Sequence, residues 1–396
     1  MKLGINRLLA IAGLALASGL SGTALGQGEL LLGYLTAETG PFVSLSRSNE
    51  VAARIAVDEI NAAGGVDGKR VRYITFDTAA NPGQTVVGLR KLAEDDKVLA
   101  IIGPFSSGQV QVAAPAADRI GIVTMAMASS APKLVANFKF AFRNTSDEAY
   151  MFDRVLRTMK AKGLPVATGA VAYANDDTIM RIMGEKVFPA LMQKAGVNVV
   201  ATVDFKLAAF DLSAQVSQLK AKPSDLVGMG ALPETAVKLA QEMRRQGHQG
   251  RIVSGSMIAD PELPMRIGNE GGGTVCPTTF FADLNERTRR FAEEFTRRAK
   301  AANLERNLPA QFDAATYDIV LFYAWAMTEG KVSGDPTRLS EERAAIRDAL
   351  KGMKNFPALE GPISFGADND ALKPVYVQEI RDGKWVLLET HQAPAN

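Results

Sequence analysis

The chain has 396 residues, of which 47% are hydrophobic and 22% charged, and its 45 basic and 43 acidic residues nearly balance. This composition is that of a globular protein, and it excludes a disordered chain and a protein drawn to nucleic acid or anionic membrane by a large positive charge. Because one hydrophobic core stops growing at about 250–300 residues, the length predicts two lobes. The single cysteine, Cys276, allows no internal disulfide.

The first 26 residues have the pattern of a secretory signal peptide. Lys2 and Arg7 precede an apolar run over 8–20, and small residues occupy positions 24 and 26 before a cleavage site. The run is shorter than the ~20 apolar residues that a membrane-spanning helix needs. We therefore expect an exported, periplasmic protein whose mature chain begins near Gln27.

Short apolar runs then alternate with longer amphipathic ones, first over 30–125 and again after 145. The pattern predicts strands over 30–35, 71–76, 98–102 and 122–125, with helices over 48–63, 85–94 and 108–119 between them. The second series has strands over 167–173, 197–205, 226–229, 252–254 and 274–281, with helices over 149–162, 180–195, 212–220 and 234–246. This alternation indicates two doubly wound parallel sheets.

The last quarter of the chain has a different pattern. It predicts a charged helix over 285–303, an apolar helix over 314–329, and short antiparallel strands over 363–365, 375–380 and 385–388. Asp382-Gly383, between the last two strands, is a hairpin turn signal.

Three segments of the first series follow strands, where open parallel sheets bind ligands. They are 39–45, 103–108 and 127–132. Ser106 and Ser107 begin a helix, whose free N–H groups and positive end favour an anion, although a serine there is also a common helix cap. With Ser129 and Ser130 at the neighbouring strand end, these uncharged donors suit a carboxylate better than a phosphate, which usually recruits Lys or Arg.

The residues of common catalytic and metal sites do not cluster. We expect His248 and His391 to be exposed and without a role, and no Cys or His group has metal-ligand spacing. A hydrolase acting through Ser106 or Ser107 would need a nearby histidine or acid motif, which is missing. We therefore predict a binding protein with no catalytic residue, metal or cofactor.

The ordered set of these segments resembles the periplasmic leucine/isoleucine/valine-binding family, the receptors of branched-chain amino-acid ABC importers. The similarity covers about 30–383. The matching segments are Thr39-Gly40-Pro41, 58–66 (DEINAAGGV), Ile101-Ile102-Gly103 with Ser106-Ser107, Gly121-Ile122, Ser129-Ser130-Ala131-Pro132, Phe142-Arg143 and Tyr317-Asp318.

The resemblance implies two α/β lobes joined by a three-stranded hinge, with crossings near 143–145, 275–279 and 359–363. The first lobe then takes 27–144 and 278–360, and the second takes 145–277 and 361–396. It also implies a monomer that closes on a small carboxylate ligand and delivers it to the membrane permease of an ABC importer. The alternative is a sensor domain of the same fold. Binding to a membrane permease would distinguish a transport receptor from such a sensor.

Family members hold the ligand carboxylate with residues that correspond here to Ser107, Ala128 and Ser130, beside Ser106 and Ser129. The other candidate contacts with the ligand are Phe42, Leu45, Thr178, Leu232, Met257 and Phe312.

The family's ammonium-binding glutamate and tyrosines are the main departure, since no acid is found over 254–257. Because an unpaired buried ammonium costs several kcal/mol, this departure favours an apolar or aromatic acid without an amine. If Asp176, Asp177 or Asp260 replaced that glutamate, the ligand would instead be a branched-chain amino acid.

Overall fold

The computed structural model describes residues 28–394, so the predicted signal peptide over 1–26 lies outside the described residues. The first part of the described chain alternates strands and helices as predicted. Its elements are β1 (Glu29–Thr36), α1 (Val43–Ser46), α2 (Asn49–Ala62), β2 (Arg70–Asp77), α3 (Pro82–Arg90), β3 (Ala100–Ile102), α4 (Ser107–Ile120), β4 (Val123–Ala126) and β5 (Ala141–Arg143).

These five strands form one parallel sheet in the order β2-β1-β3-β4-β5. The apolar run over 98–102 is buried at its centre, as expected for a strand covered on both faces. The strand itself begins at Ala100, two residues later than predicted. The reason is that the Val98 carbonyl accepts hydrogen bonds of 3.0 and 2.7 Å from the buried Arg343 guanidinium.

The second part repeats the alternation. Its elements are α5 (Glu148–Ala161), β6 (Thr168–Ala174), α6 (Thr178–Ile182), α7 (Phe188–Lys194), β7 (Asn198–Phe205), α8 (Ser213–Lys220), β8 (Leu226–Gly230), α9 (Pro233–Arg245), β9 (Arg251–Ser254), α10 (Leu263–Ile267) and β10 (Val275–Thr278). A π-helical turn, Met183–Val187, joins α6 to α7, so the helix predicted over 180–195 is continuous but irregular.

The last part supplies helices to the first sheet and strands to the second. Its elements are α11 (Glu286–Ala301), α12 (Gln311–Glu329), α13 (Leu339–Gly352), β11 (Phe356–Ala358), β12 (Gly361–Phe365), β13 (Ala371–Leu372), β14 (Val375–Arg381) and β15 (Lys384–His391). Helix α12 packs against α2 and α13. In residues 28–394 no helix is both long and apolar enough to cross a membrane.

The second sheet has seven strands in the order β15-β14-β10-β9-β8-β6-β7. Strands β6 to β10 run parallel, while β14 and β15 add an antiparallel edge. Asp382 and Gly383 form the predicted hairpin turn, with Arg381 paired to Lys384 across it. Both turn residues have positive φ, 49° and 70°, which is the conformation of a tight type I′ turn. The molecule is therefore an α/β protein of two parallel-sheet lobes.

A small antiparallel sheet, β11-β12-β13, packs beside the first lobe. The Phe365 ring lies 5.2 Å from the Phe142 ring, and Asp370 pairs with Arg143 at 2.5 Å. These contacts put 361–372 against the first sheet and favour a passage to the second lobe near Lys373. The lobe boundaries at 144, 278 and 360 remain a prediction. The contacts of residues 361–372 concern the third of these boundaries, which the sequence places at 360.

The three crossings between the lobes meet in a buried group that we call the hinge cluster: Asn144, Thr279, Glu360 and Lys373. The Lys373 ammonium donates to the Asn144 carbonyl at 2.9 Å and pairs with the Glu360 carboxylate. The Thr279 hydroxyl donates to the same carboxylate. All four residues are at most 2% exposed, so the hinge is fixed by polar contacts away from water.

Candidate ligand-binding site

The carboxyl ends of β3 and β4 are adjacent, because these strands pair in register from Ala100 to Ile102. The loops that follow them therefore meet, and the Ala131 N–H donates to the Ser107 hydroxyl oxygen at 3.3 Å. The structure thus brings together the two hydroxyl segments that the sequence singled out. That they bind a ligand stays a prediction.

Ser106 and Ser107 have different roles at the start of α4. The Ser106 hydroxyl accepts from the Gln109 N–H at 3.4 Å, and the Ser106 N–H donates to the Gln109 side chain at 3.0 Å, which is a capping box. Ser107 is the first helical residue and is only 3% exposed. The helix-capping interpretation therefore applies to Ser106, while the Ser107 hydroxyl proton has no acceptor within residues 28–394.

The next segment supplies two more hydroxyls. The Ser129 side chain is fully buried and has no hydrogen-bond partner among the described residues. The Ser130 hydroxyl is also buried and meets no group in good hydrogen-bond geometry there, although it faces the Glu148 carboxylate closely enough to favour its ionised form. Because an unsatisfied buried hydroxyl costs about 1–3 kcal/mol, these side chains indicate a place for a polar group of another molecule.

A buried arginine holds this segment in position. The Arg143 guanidinium donates to the Ser129 carbonyl at 3.1 Å and to the Ala131 carbonyl at 2.6 Å. Its other nitrogens form a two-point pair with the Asp370 carboxylate at 2.5 and 2.6 Å. These bonds fix the backbone on both sides of Ser130, at Ser129 and at Ala131.

Three phenylalanines form the apolar side of the site on the first lobe. The Phe105 ring lies 5.7 Å from Phe42 and 5.5 Å from Phe312, and all three are at most 6% exposed. Leu45 is buried on α1, where its carbonyl accepts from Arg306 at 3.1 Å. Sequence reasoning named Phe42, Leu45 and Phe312 but missed Phe105, although a large aromatic directly before two serines was a usable signal.

The second lobe faces these residues with α6 and the loop after β9. Thr178 is the first residue of α6, and a Cβ added at Gly108 would lie 3.5 Å from its hydroxyl oxygen, so the starts of α4 and α6 meet across the cleft. Met257 lines a small cavity with Ala231 and Glu148. Leu232, next to Ala231, is buried at the start of α9.

The Gln311 side chain directly joins the two sides of the cleft. Gln311, at the start of α12, accepts from the Thr279 N–H at 3.0 Å and donates to the Ser256 carbonyl at 2.8 Å. The helix begins at Gln311 and not at the predicted residue 314, because the Asp313 carboxylate accepts from the Ala310 N–H at 2.7 Å and closes the first turn. Sequence reasoning missed Gln311 for this reason.

An acidic side chain from another element contacts the loop after β9, although residues 254–257 include no acid. The Glu148 carboxylate, from the first turn of α5, accepts from the Ser256 N–H and from the Ser256 hydroxyl at 2.9 Å. A Cβ added at Gly255 would overlap this carboxylate. Burial raises the pKa of Glu148, and the facing Ser130 hydroxyl and the hydrogen bonds from Ser256 oppose that rise. The loop over 254–257 thus has no acid of its own, as the sequence indicates, and is contacted by one from α5.

The three aspartates considered as substitutes have other partners. Asp176 is exposed and accepts from the Leu207 N–H at 2.8 Å. Asp177 caps α6, accepting from the N–H groups of Ile179 and Met180. Asp260 pairs with Arg266 at 2.5 Å.

Both histidines differ from the expectation of exposure. His248 is 4% exposed, and its Nδ1 accepts from the Gly250 N–H at 3.0 Å, which folds the turn before β9. His391 is partly buried at the end of β15, with its Nε2 2.8 Å from the Thr158 hydroxyl. Burial lowers the pKa of both rings. Both lie in structural contacts away from the cleft residues described above.

A family model described as periplasmic binding protein matches residues 29–384. Among curated relatives, the Leu/Ile/Val-binding protein homolog 3 of Brucella melitensis is 25% identical over 371 residues, which are 91% of this chain and 94% of that protein. An amino acid binding protein of Pseudomonas aeruginosa is 28% identical over 64% of this chain and 68% of its own length.

Solved structures share the fold. A branched-chain amino acid transporter substrate-binding protein from Streptococcus pneumoniae, in complex with isoleucine, has a TM-score of 0.78 at 22% identity, covering 92% of this chain and 99% of that one. An ABC transporter solute-binding protein from Rhodopseudomonas palustris, in complex with 3,4-dihydroxybenzoic acid, has a TM-score of 0.80 at 18% identity, covering 92% and 98%.

Proposed function

The chain belongs to the periplasmic binding protein family, and we propose that it captures a small carboxylate ligand between its lobes for an ABC importer. The family and its structural neighbours are solute-binding proteins and not enzymes. The same proposal includes export through the N-terminal signal peptide, a monomeric state and a membrane permease as the partner.

The observation that carries the proposal is the cluster of uncharged donors at the ends of β3 and β4. The Ser107 hydroxyl oxygen already accepts the Ala131 N–H, so its own proton is free to be donated to a ligand. Ser129 and Ser130 add buried hydroxyls, and α4 turns its positive end to the same place. A carboxylate needs two to four such donors, and it would satisfy all of them at once.

The apolar surroundings favour a ligand whose remaining part is apolar. Phe42, Phe105 and Phe312 lie on one side, with Met257 on the other. Relatives of this fold were solved with isoleucine and with a dihydroxybenzoic acid, so aliphatic and aromatic carboxylates are both candidates. Lobe closure would bring the two sides onto the ligand and be stabilised by contacts that exist only when both meet.

A thermal-shift screen of the mature protein, refolded to remove any carried ligand, tests this proposal. The panel pairs each acid with a neutral analogue: benzoate with benzamide, 4-hydroxybenzoate with its amide, and 4-methyl-2-oxopentanoate with its amide, beside leucine, isoleucine and valine. A ligand at a hundred times its Kd should add about 2.7 kcal/mol to the unfolding free energy. Stabilisation by acids but not by their amides is expected. Equal responses to acids and amides, or none to any carboxylate, would refute the carboxylate site.

A further inference from the structure

The segment between helices α11 and α12 contacts both lobes, and we call residues 305–310 of it the strap. Its central residue is Arg306, which is 6% exposed. The Arg306 guanidinium donates to the Asp313 carboxylate at 2.7 Å and to the Leu45 carbonyl at 3.1 Å. It also donates to the Ser48 hydroxyl, which in turn donates to Asp313 at 2.8 Å. The strap is therefore anchored on the first lobe, at α1 and at the start of α12.

The second lobe meets the strap through Glu262. One oxygen of its carboxylate accepts from the Asn307 N–H at 2.9 Å and from the Leu308 N–H at 3.4 Å. Glu262 precedes α10, between strands β9 and β10 of the second sheet, whereas the strap leads into α12, which packs against α2 of the first lobe. The contact therefore joins the two lobes, and none of its residues belongs to the hinge cluster.

The second-lobe side of this contact is also fixed in position. The Glu262 N–H donates to the Asp260 carboxylate at 2.8 Å, and that carboxylate pairs with Arg266 at 2.5 Å. The Asp260 carbonyl accepts from the Trp385 indole N–H at 2.8 Å. The Glu262 carboxylate thus extends from a fixed loop of one lobe to backbone donors fixed on the other, so moving the lobes apart breaks the contact.

Opposite charges face each other across the same contact. Burial by itself lowers the pKa of Arg306, and Asp313 of its own lobe opposes that effect. Asp260 and Glu262 of the second lobe add to the opposition, and the pKa of Arg306 is raised as a result. Since unlike charges attract more strongly away from bulk water, these two acids favour the closed arrangement in addition to the hydrogen bonds.

Arg306 also connects this contact with the ligand side of the first lobe. Its guanidinium donates to the Leu308 carbonyl at 2.8 Å as well as to the Leu45 carbonyl. The backbone donors that reach Glu262 are therefore fixed relative to Leu45, a candidate ligand contact. A ligand that packs against Leu45 would hold the strap where Glu262 can bind it.

We propose that Glu262 and the strap form a latch that sets the rate at which a captured ligand is released. The proposal rests on the carboxylate capture between the lobes proposed above. A ligand enters while the lobes are apart and the latch is open, whereas its release requires the latch bonds to break. Bonds that exist only in the closed form stabilise that form against opening, so they act on the dissociation rate. The role given to Glu262 needs no contact with the ligand.

Two variants of Glu262 and one control test the latch in the full mature protein. Glu262→Ala removes the acceptor of both N–H groups, and Glu262→Gln keeps an oxygen without the charge. Glu234→Ala is the control, because Glu234 is exposed beside α10 and pairs with Arg266 of its own lobe at 3.4 Å. The probes are leucine, 4-hydroxybenzoate and 4-methyl-2-oxopentanoate. Isothermal titration gives each Kd, and stopped-flow fluorescence of Trp385, which is bonded to Asp260 beside the latch, gives the rates.

We expect Glu262→Ala to release each bound probe about tenfold faster than wild type, as for lost hydrogen bonds to a charged acceptor. Its association rate should stay within about twofold of wild type, because the latch is open when the ligand enters. The Kd should rise with the dissociation rate. Glu262→Gln should show a smaller change of the same kind, and Glu234→Ala should bind and release the probes as wild type does.

Other outcomes separate the latch from the proposed function. If Glu262→Ala releases the probes at the wild-type rate, the latch is wrong and carboxylate capture stands. If Glu234→Ala shows the same loss, or if Glu262→Ala slows association and lowers the unfolding free energy of the ligand-free protein, Glu262 supports the fold of the second lobe and is not a latch. If none of the three carboxylates binds wild type, the proposed function itself fails, and the latch with it.

Discussion

The two serines at the start of α4 are adjacent in sequence but differ in what they contact. Ser106 satisfies the helix end, whereas Ser107 accepts from the next loop and has no acceptor for its own proton among the described residues. Replacing Ser107 by alanine should weaken carboxylate binding by roughly 1–3 kcal/mol, since a charged acceptor loses one donor. Isothermal titration with the best carboxylate of the screen measures the change.

Ser106→Ala is the matched control for this prediction. It removes the capping box of α4 and should lower the unfolding free energy by about 0.5–2 kcal/mol in urea denaturation, with little change in affinity. Ser107→Ala should show the opposite pattern. Equal affinity losses in both variants would mean that the hydroxyls act through the helix and not on the ligand.

Glu148 shows why part of the site could not be predicted from the sequence. An acid in the first turn of a helix is an ordinary feature, favoured by the helix dipole, and nothing next to it in the chain suggests a cleft. Its place in the site follows from Gly255, which leaves the space, and from the pairing of β9 and β10 that positions the loop. The Ser107 and Ser130 segments were predictable because they directly follow strands.

The helices and strands could be predicted where the apolar residues of an element form a regular pattern within that element. Strands that are apolar over several residues, such as β3, and amphipathic helices, such as α2, were found with small errors at their ends. Sequence reasoning missed β5, which has three residues, and α13. Strand β5 is short because it turns at once into the hinge, where Arg143 and Asn144 contact residues 369–373, and such a partner distant in sequence leaves no periodic signal.

The hinge cluster has the properties of a pH-dependent element. Burial raises the pKa of Glu360 to about 7, with Lys373 opposing the rise, and burial also raises the pKa of the adjacent Asp318 to about 6. An acid whose pKa is raised on folding contributes stability that is fully present below its unfolded pKa, about 4, and is lost as the pH rises through its folded pKa. The unfolding free energy from this cluster should therefore fall between about pH 4 and pH 7.

Lys373→Met makes this dependence measurable. It leaves Glu360 as a buried acid without its cation and removes one of the two cations that act on Asp318, which should cost about 3–5 kcal/mol at pH 8. The cost should be smaller at pH 5, where both acids can bind a proton. Urea denaturation at both pH values tests this, and adding Glu360→Gln to Lys373→Met should recover most of the loss. An equal cost at pH 5 and pH 8 would show that the lysine acts by packing and not by charge.

The proposed function depends on how the two lobes meet, and Gln311 is one of the side chains that bond to both, beside Glu262. It connects the start of α12 in the first lobe with the Ser256 carbonyl in the second, on the same residue that holds Glu148. If this contact belongs to the closed form, its loss should shift the equilibrium between the closed and open forms of the protein toward the open form. The apparent affinity of a ligand that binds the closed form would then be lower, because a smaller fraction of the protein is closed before binding.

Gln311→Ala should therefore weaken ligand binding about three- to tenfold, as expected for one lost hydrogen bond, and should reduce the decrease in radius of gyration that saturating ligand produces in small-angle scattering. Gln109→Ala is the control, since Gln109 is equally buried but bonds only within the first lobe, to Thr78, Thr85 and the Ser106 N–H. It should lower stability and leave closure and affinity as in wild type. If Gln311→Ala behaves like Gln109→Ala, the Gln311 bridge is a fixed contact of the hinge region, and closure draws its stability from the proposed ligand contacts and from other bonds between the lobes, such as those of Glu262 with the Asn307 and Leu308 N–H groups.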